Sequence, residues 1–212
     1  LTQMLTGTSA YTGTTTVNGG ALSLGTSGKL TGTTSVTVNA GSTLLLGSSV
    51  ANSINTNATL NLGGGQLSMG AGSTRASSQT FNTLTLTANS SIDFANLTGL
   101  SSLYFSNISG LSTYTLSIFN YNGSNPFGAS SSTGGVGQFT KLYAATGGAF
   151  ASSLGNILFY GGSDANSSFL GQGAFNGGST DGFTQIVPVP EPSVVIAALM
   201  LLAWLLYTNR GA

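Results

Sequence analysis

Three carboxylates precede Glu191, namely Asp93, Asp164 and Asp181, and the chain has no His. Enzymatic cleavage of a glycosidic bond usually uses two carboxyl groups facing one site. Asp93 lies between Ile92 and Phe94, on the outward face of a predicted strand. Asp164 falls in the loop-like stretch GGSDANSS, and Asp181 in GGSTDGF. Three acids in three separate segments do not compose such a pair. Ser is abundant, but no G-x-S-x-G elbow occurs and no imidazole is available to activate a hydroxyl. Without Cys there is neither a thiolate metal site nor a disulfide framework. A calcium site needs clustered oxygen ligands, and these acids are scattered. Lys141 is a candidate for an isopeptide cross-link to an Asn, although a surface Lys with a snorkelling stem is the plainer reading. The chemistry-bearing residues thus predict a protein that is not an enzyme and carries no cofactor and no metal.

The elements around those residues must therefore explain the protein. Only 4% of its 212 residues are charged, against roughly 25% in ordinary soluble domains. Hydrophobic residues make up 40%, so the chain has enough apolar surface to bury a core. Its polar surface must consist of hydroxyls and amides, as in secreted repeat proteins and surface layers. The basic residues Lys29, Arg75, Lys141 and Arg210 are dispersed. They form no stripe that would release counterions from a phosphate backbone, which argues against nucleic-acid binding. Leu1 is not preceded by a charged and apolar leader. An exported protein requires such a leader, so residues 1–212 are expected to be the C-terminal part of a longer precursor.

Internal repeats organise the first half of the sequence. Residues 12–25 read TGTTTVNGGALSLG, residues 31–47 read TGTTSVTVNAGSTLLLG, and residues 58–70 read ATLNLGGGQLSMG. Each has a Thr-rich or Leu-bearing strand, a Gly-containing turn and a second strand. Leu24, Leu46 and Met69 recur at a spacing of 22 to 23 residues, within the range of stacked β-coils. Leu22 and Leu24, Leu44 and Leu46, Leu60 and Leu62, and Leu84 and Leu86 alternate with other side chains at period two, the mark of a half-buried strand. One coil has nothing to bury its Leu face against, and stacking a second coil closes the core. The expected fold is all-β: a right-handed parallel β-helix over residues 1–118, with roughly five coils between Thr12 and Ile118. A turn-rich loop and an irregular C-terminal β cap should occupy residues 119–185, because aromatics replace Leu there.

Composition changes sharply at Ile186. Val187, Pro188, Val189, Pro190, Glu191 and Pro192 carry three prolines in five positions. Pro removes donors and disfavours sheet interiors, so residues 186–193 are expected to be an extended, exposed linker. Val194–Tyr207 is an unbroken apolar run of 14 residues that includes Leu199, Leu202 and Trp204. As a helix it would be about 21 Å long, against a hydrocarbon core of about 30 Å. A buried core helix also fits that length. However, the run is apolar on every face, whereas a docked helix would be amphipathic, and Trp204 and Tyr207 lie at its far end, where interfacial aromatics belong. One transmembrane helix over 194–208 is expected, with residues 209–212 as a cytoplasmic tail oriented by Arg210.

The succession of VPVPEPS, an apolar segment and a basic residue over residues 186–212 resembles the PEP-CTERM sorting signal of diderm bacteria. The Pro-Glu-Pro core of that signal falls on Pro190, Glu191 and Pro192. The apolar run is shorter than is usual for the family, and Arg210 stands alone where the family commonly has an Arg cluster. The resemblance implies recognition by an exosortase, passage through the inner membrane as a precursor, and release to the cell surface or to an exopolysaccharide and biofilm matrix. Residues 6–70 are similar to the autotransporter-associated β-strand repeat of passenger-type β-helices. The segment LTLTANSSIDFA, with the later GFTQIVPVPEP, resembles the junction in repeat proteins that carry the sorting tail.

The leading functional expectation is an exported structural protein of the bacterial surface or extracellular polysaccharide matrix. A surface adhesin or glycan-binding module is the alternative, with Tyr11, Tyr104, Tyr114 and Tyr121 as candidates for stacking on sugars. A polysaccharide-active enzyme stands third. A removable hydrophobic C-terminus also marks eukaryotic lipid-anchored proteins, which the Pro-rich spacer and Arg210 fit poorly. Expected partners are an exosortase, the inner membrane during export, exopolysaccharide, and further copies of the chain pairing through solenoid edges. Six N-x-S/T sequons, at Asn57, Asn89, Asn96, Asn107, Asn122 and Asn166, are candidate glycosylation sites.

Overall fold

The computed structural model describes residues 1–47, 51–70, 77–95, 101–122, 140–145, 148–180 and 182–189. Its strands are β1 (Thr2–Leu5), β2 (Thr8–Ser9), β3 (Thr14–Val17), β4 (Gly20–Leu24), β5 (Lys29–Leu30), β6 (Ser35–Asn39), β7 (Ser42–Leu46), β8 (Thr59–Gly63), β9 (Gln66–Ser68), β10 (Ser77–Ala88), β11 (Ser90–Asp93), β12 (Ser101–Ser109), β13 (Leu116–Phe119), β14 (Thr140–Ala145), β15 (Ile157–Tyr160), β16 (Phe169–Thr180) and β17 (Phe183–Val189). Among the described residues one 3-10 helix, Ala149–Asn156, precedes β15.

Each repeat folds as one coil carrying two main strands. The first strands stack in the order β3-β6-β8-β10-β12-β14, and the second in the order β1-β4-β7-β9-β11-β13-β15. Every pairing within these two stacks is parallel. A short third face is built by β2, β5 and a bridge from Leu30 to Ile54. The fold is a β-solenoid of about four turns, against the roughly five coils read from the sequence. The five strands β3 to β12 are joined by four coil-to-coil steps.

Period-two alternation becomes columns of like side chains. Leu22, Leu44, Leu67, Ile92, Ile118 and Phe159 stand in register on one face. Val36, Leu60, Leu84 and Ile108 do so on the other. Leu24, Leu44, Leu46, Leu60, Leu62, Leu84 and Leu86 are buried, as the pattern requires. Leu22 is only partly buried, because Gln3 rather than an apolar residue faces it from β1. The turn between the two strands of a coil needs positive φ, which Gly41 (72°) and Gly64 (87°) supply without a Cβ penalty.

The coil pattern continues beyond Ile118. β14 still pairs in parallel with β12, and β15 with β13. Antiparallel pairing begins only with the hairpin β16–β17, which joins β15 on one stack to β14 on the other. Every strand of this sheet has two neighbours except β1 and β3, so both unpaired edges lie on the first coil.

The hairpin also corrects the reading of residues 186–189 as an exposed linker. Ile186, Val187, Pro188 and Val189 belong to β17, and the first three are buried. Pro188 is accommodated because β14 pairs with β17 only as far as Ile186, so that among the described residues β16 alone pairs with the rest of β17. Pro is tolerated on such an edge stretch.

Candidate functional site at the C-terminal closure

β16 and β17 close the C-terminal end of the solenoid. Pro188 stands opposite Gly173, and Val189 opposite Gln172. A Cβ on Gly173 would lie 2.8 Å from the Leu154 carbonyl oxygen and 3.1 Å from Ile157 Cβ. Only glycine lets the 3-10 helix and β15 come this close. The helix buries Phe150 and Leu154 beneath the hairpin, and Asn156 Nδ2 donates to the Leu111 carbonyl at 2.6 Å. Of the residues that the sequence suggests as a sorting motif, Val187, Pro188 and Val189 are thus fixed in the sheet. Pro190, Glu191 and Pro192 lie outside the described residues. So do Val194, Leu199, Leu202, Trp204 and Tyr207 of the expected membrane segment, and Arg210. Among the described residues, no helix is long and apolar enough to cross a membrane.

The carboxylates are engaged in turn geometry. Asp93 Oδ1 accepts from the Ala95 amide and from Asn120 Nδ2, each at 2.7 Å. Asp164 Oδ1 accepts from the Asn166 amide and the Ser167 hydroxyl, each at 3.0 Å. Asp181 lies outside the described residues. Among the described residues, no group of three or more potential metal ligands comes together.

The candidate sugar-stacking tyrosines separate by environment. Tyr11 is exposed and hydrogen-bonds Thr15 through its hydroxyl. Tyr114 packs partly against the core. Tyr121 is buried edge-on against Phe94 and Phe159, and its oxygen accepts from Gln185 Nε2 at 3.4 Å. Burial pushes its hydroxyl pKa well above the ordinary value for tyrosine. Tyr104 is half-buried and lies flat on Tyr143, with centroids 4.7 Å apart, and Phe183 meets it edge-on. Burial and then the neighbouring Tyr104 also raise the Tyr143 pKa.

Two features were not anticipated from sequence. The first is a second aromatic row, Phe119, Tyr160 and Phe169, with successive centroids 5.3 and 5.5 Å apart. The second is a set of amide staples between coils. Gln79, almost fully buried, exchanges bonds with both backbone groups of Ile54 at 3.0 Å. Asn39 Nδ2 donates to Asn18 Oδ1 at 2.6 Å, and Asn89 Oδ1 accepts from the Thr115 amide at 2.9 Å. A recurrence of Asn near each turn was the available signal.

No protein-family model, curated protein or solved structure matches the chain.

Proposed function

We propose that this is an exported structural protein of the bacterial cell surface or extracellular polysaccharide matrix, sorted by an exosortase through its C-terminal segment. One juxtaposition carries the reading. The charge-poor solenoid ends in a closing strand at Val189, and Pro190-Glu191-Pro192, the apolar run Val194–Tyr207 and Arg210 follow at once. In this reading the coils are right-handed, residues 194–208 span the inner membrane of the precursor, and residues 209–212 stay in the cytoplasm. The protein is not an enzyme: Asp93 and Asp164 each serve their own turn. It presents Thr, Ser and Asn ladders to water and exopolysaccharide. Other copies of the chain bind along β1 and β3, and nucleic acid is not a partner.

The test replaces Pro190, Glu191 and Pro192 by Ala in the full precursor. The β-domain should fold normally yet accumulate in the inner membrane, while the parent reaches the surface shortened by the tail. Mass spectrometry of surface protein decides the matter. Abundant intact Val194–Tyr207 peptides there, or normal surface delivery of the triple variant, would overturn the sorting mechanism.

A surface adhesin or glycan-binding module is the second reading. The Tyr104–Tyr143 stack on the outer side of β12 and β14 favours it, and retention on immobilised matrix glycans that Tyr104→Ala abolishes would support it over the structural one.

A further inference from the structure

We infer that the edge of the closure at Phe169, backed by the rings of Tyr160 and Phe119, rests in the interfacial layer of the lipid bilayer when the tail is inserted. This rests on the proposed membrane role of Val194–Tyr207. Phe169 is the large apolar side chain exposed at this end of the solenoid; Leu1, Met4 and Tyr11, the others exposed among the described residues, belong to the segment before β3. Phe169 continues the row from Phe119 through Tyr160, and half-buried Leu170 follows it.

Strand register shows where the chain departs. β16 and β17 are antiparallel, and Val189 stands opposite Gln172. The C-terminal end of β17 therefore points along β16 toward Gly171, Leu170 and Phe169. Phe169 lies three residues beyond Gln172, about 10 Å further in that direction at strand rise. Because β17 extends to Val189, only residues 190–193 separate the folded domain from Val194. Five Cα steps span at most about 18 Å, and the interfacial layer on one side of a bilayer takes up roughly 5 to 8 Å of that. Four residues are thus too few to hold the closure far from the membrane, and the end of β17 that precedes them points toward Phe169. Aromatic rings prefer that layer. Asp164, at the tip of the loop joining Tyr160 to Phe169, is the acidic group of that loop. Its carboxylate stays in water and limits the depth of contact.

Trp204 is the chain's only Trp and there is no Cys, so each part can be probed separately. The full chain is reconstituted into phosphatidylcholine–phosphatidylglycerol vesicles containing lipids brominated at shallow or deep acyl positions. Loss of Trp204 emission reports insertion of the tail. In Phe169→Trp combined with Trp204→Phe, the new indole should lose emission with shallow bromines and much less with deep ones. A nitroxide on Ser168→Cys should independently report burial at headgroup depth. Quenching of Trp204 with an unquenched indole at 169 and a water-exposed nitroxide at 168 would overturn the inference and leave the tail reading intact. Failure of Trp204 itself to be quenched would remove the tail reading and this inference with it.

Discussion

Asn120 reaches across one coil and donates through Nδ2 to Asp93 Oδ1 at 2.7 Å. Its own amide donates to the Gly162 carbonyl of the next coil at 2.8 Å, and its φ is 52°. A residue in the left-handed region, with a side chain that bonds nearby, is a role that Asn tolerates and most other residues do not. The same carboxylate oxygen receives the Ala95 amide, and Ala95 also has positive φ. Asp93 therefore binds two successive corners of the solenoid together.

Asp93→Ala should cost about 1.5 to 3 kcal/mol, the range for hydrogen bonds to a charged group. It leaves the nearly buried Asn120 amide without this acceptor. Urea unfolding should show a lower midpoint with an unchanged slope. An unchanged midpoint would mean that solvent replaces the carboxylate freely and the corner has no need of it.

The apolar columns were legible in the sequence, and this staple was not. Leu44 and Leu46 announce themselves by alternation, and their partners Leu22 and Leu24 by spacing, because burial imposes a period on residue type. Asp93 and Asn120 are 27 positions apart, and only the coil register puts them side by side. The alternation of Ile92 and Phe94 around Asp93 places it on the outward face of the strand, and nothing in that local pattern signals Asn120 as its partner. Pro188 was misread for a different reason. Pro190 and Pro192, which follow it, suggested a uniform extended linker, whereas Pro188 lies on a stretch of β17 where, among the described residues, β16 alone pairs beside it. The change from Leu to aromatics after Ile118 suggested an irregular cap, but Phe159 simply continues the Leu22–Ile118 column with a larger side chain.

Tyr121 makes stability sensitive to alkali. Burial raises its pKa in the folded protein above the ordinary 10.0, so the unfolded chain loses this proton at lower pH than the native protein. The stabilisation is fully present below the unfolded value and is lost as pH rises from there toward the folded value. Urea midpoints should therefore fall between pH 9 and 11 more steeply in the parent than in Tyr121→Phe. Equal slopes would place Tyr121 in contact with solvent. Titration of tyrosine absorbance should also show fewer than the seven tyrosines ionising before the fold is lost.

β1 and β3 are the two edges of the 15-stranded sheet, and the segments TQML and TTTV carry no charge. Edge strands without charge, Pro or a cover template further pairing. The chain should associate with itself as concentration rises, measured by sedimentation velocity in a detergent that solubilises the tail. Met4→Lys places a charge on β1 at an exposed position and should shift the distribution toward monomer. If parent and variant sediment alike, pairing does not proceed through β1.

The position of β17 bears directly on processing. Ile186 and Val187 are buried under the closure, and each buried aliphatic side chain contributes about 1.5 to 3 kcal/mol. A chain ending at Val189 keeps both, together with the full β16–β17 ladder. A chain ending at Gln185 loses them and also the pairs from Phe175–Ile186 to Gln172–Val189. The shorter chain should be less stable by about 3 to 6 kcal/mol, while the chain ending at Val189 should unfold at the same urea concentration as the β-domain of the full protein. Hydrogen exchange should locate the loss in β14, β15 and the 3-10 helix, with β6 to β8 protected as before. Any processing that preserves the folded domain must then cut beyond Val189, within or after Pro190-Glu191-Pro192. A mature surface form whose C-terminus falls at or before Gln185, yet which unfolds like the parent, would show that β17 does not close the solenoid.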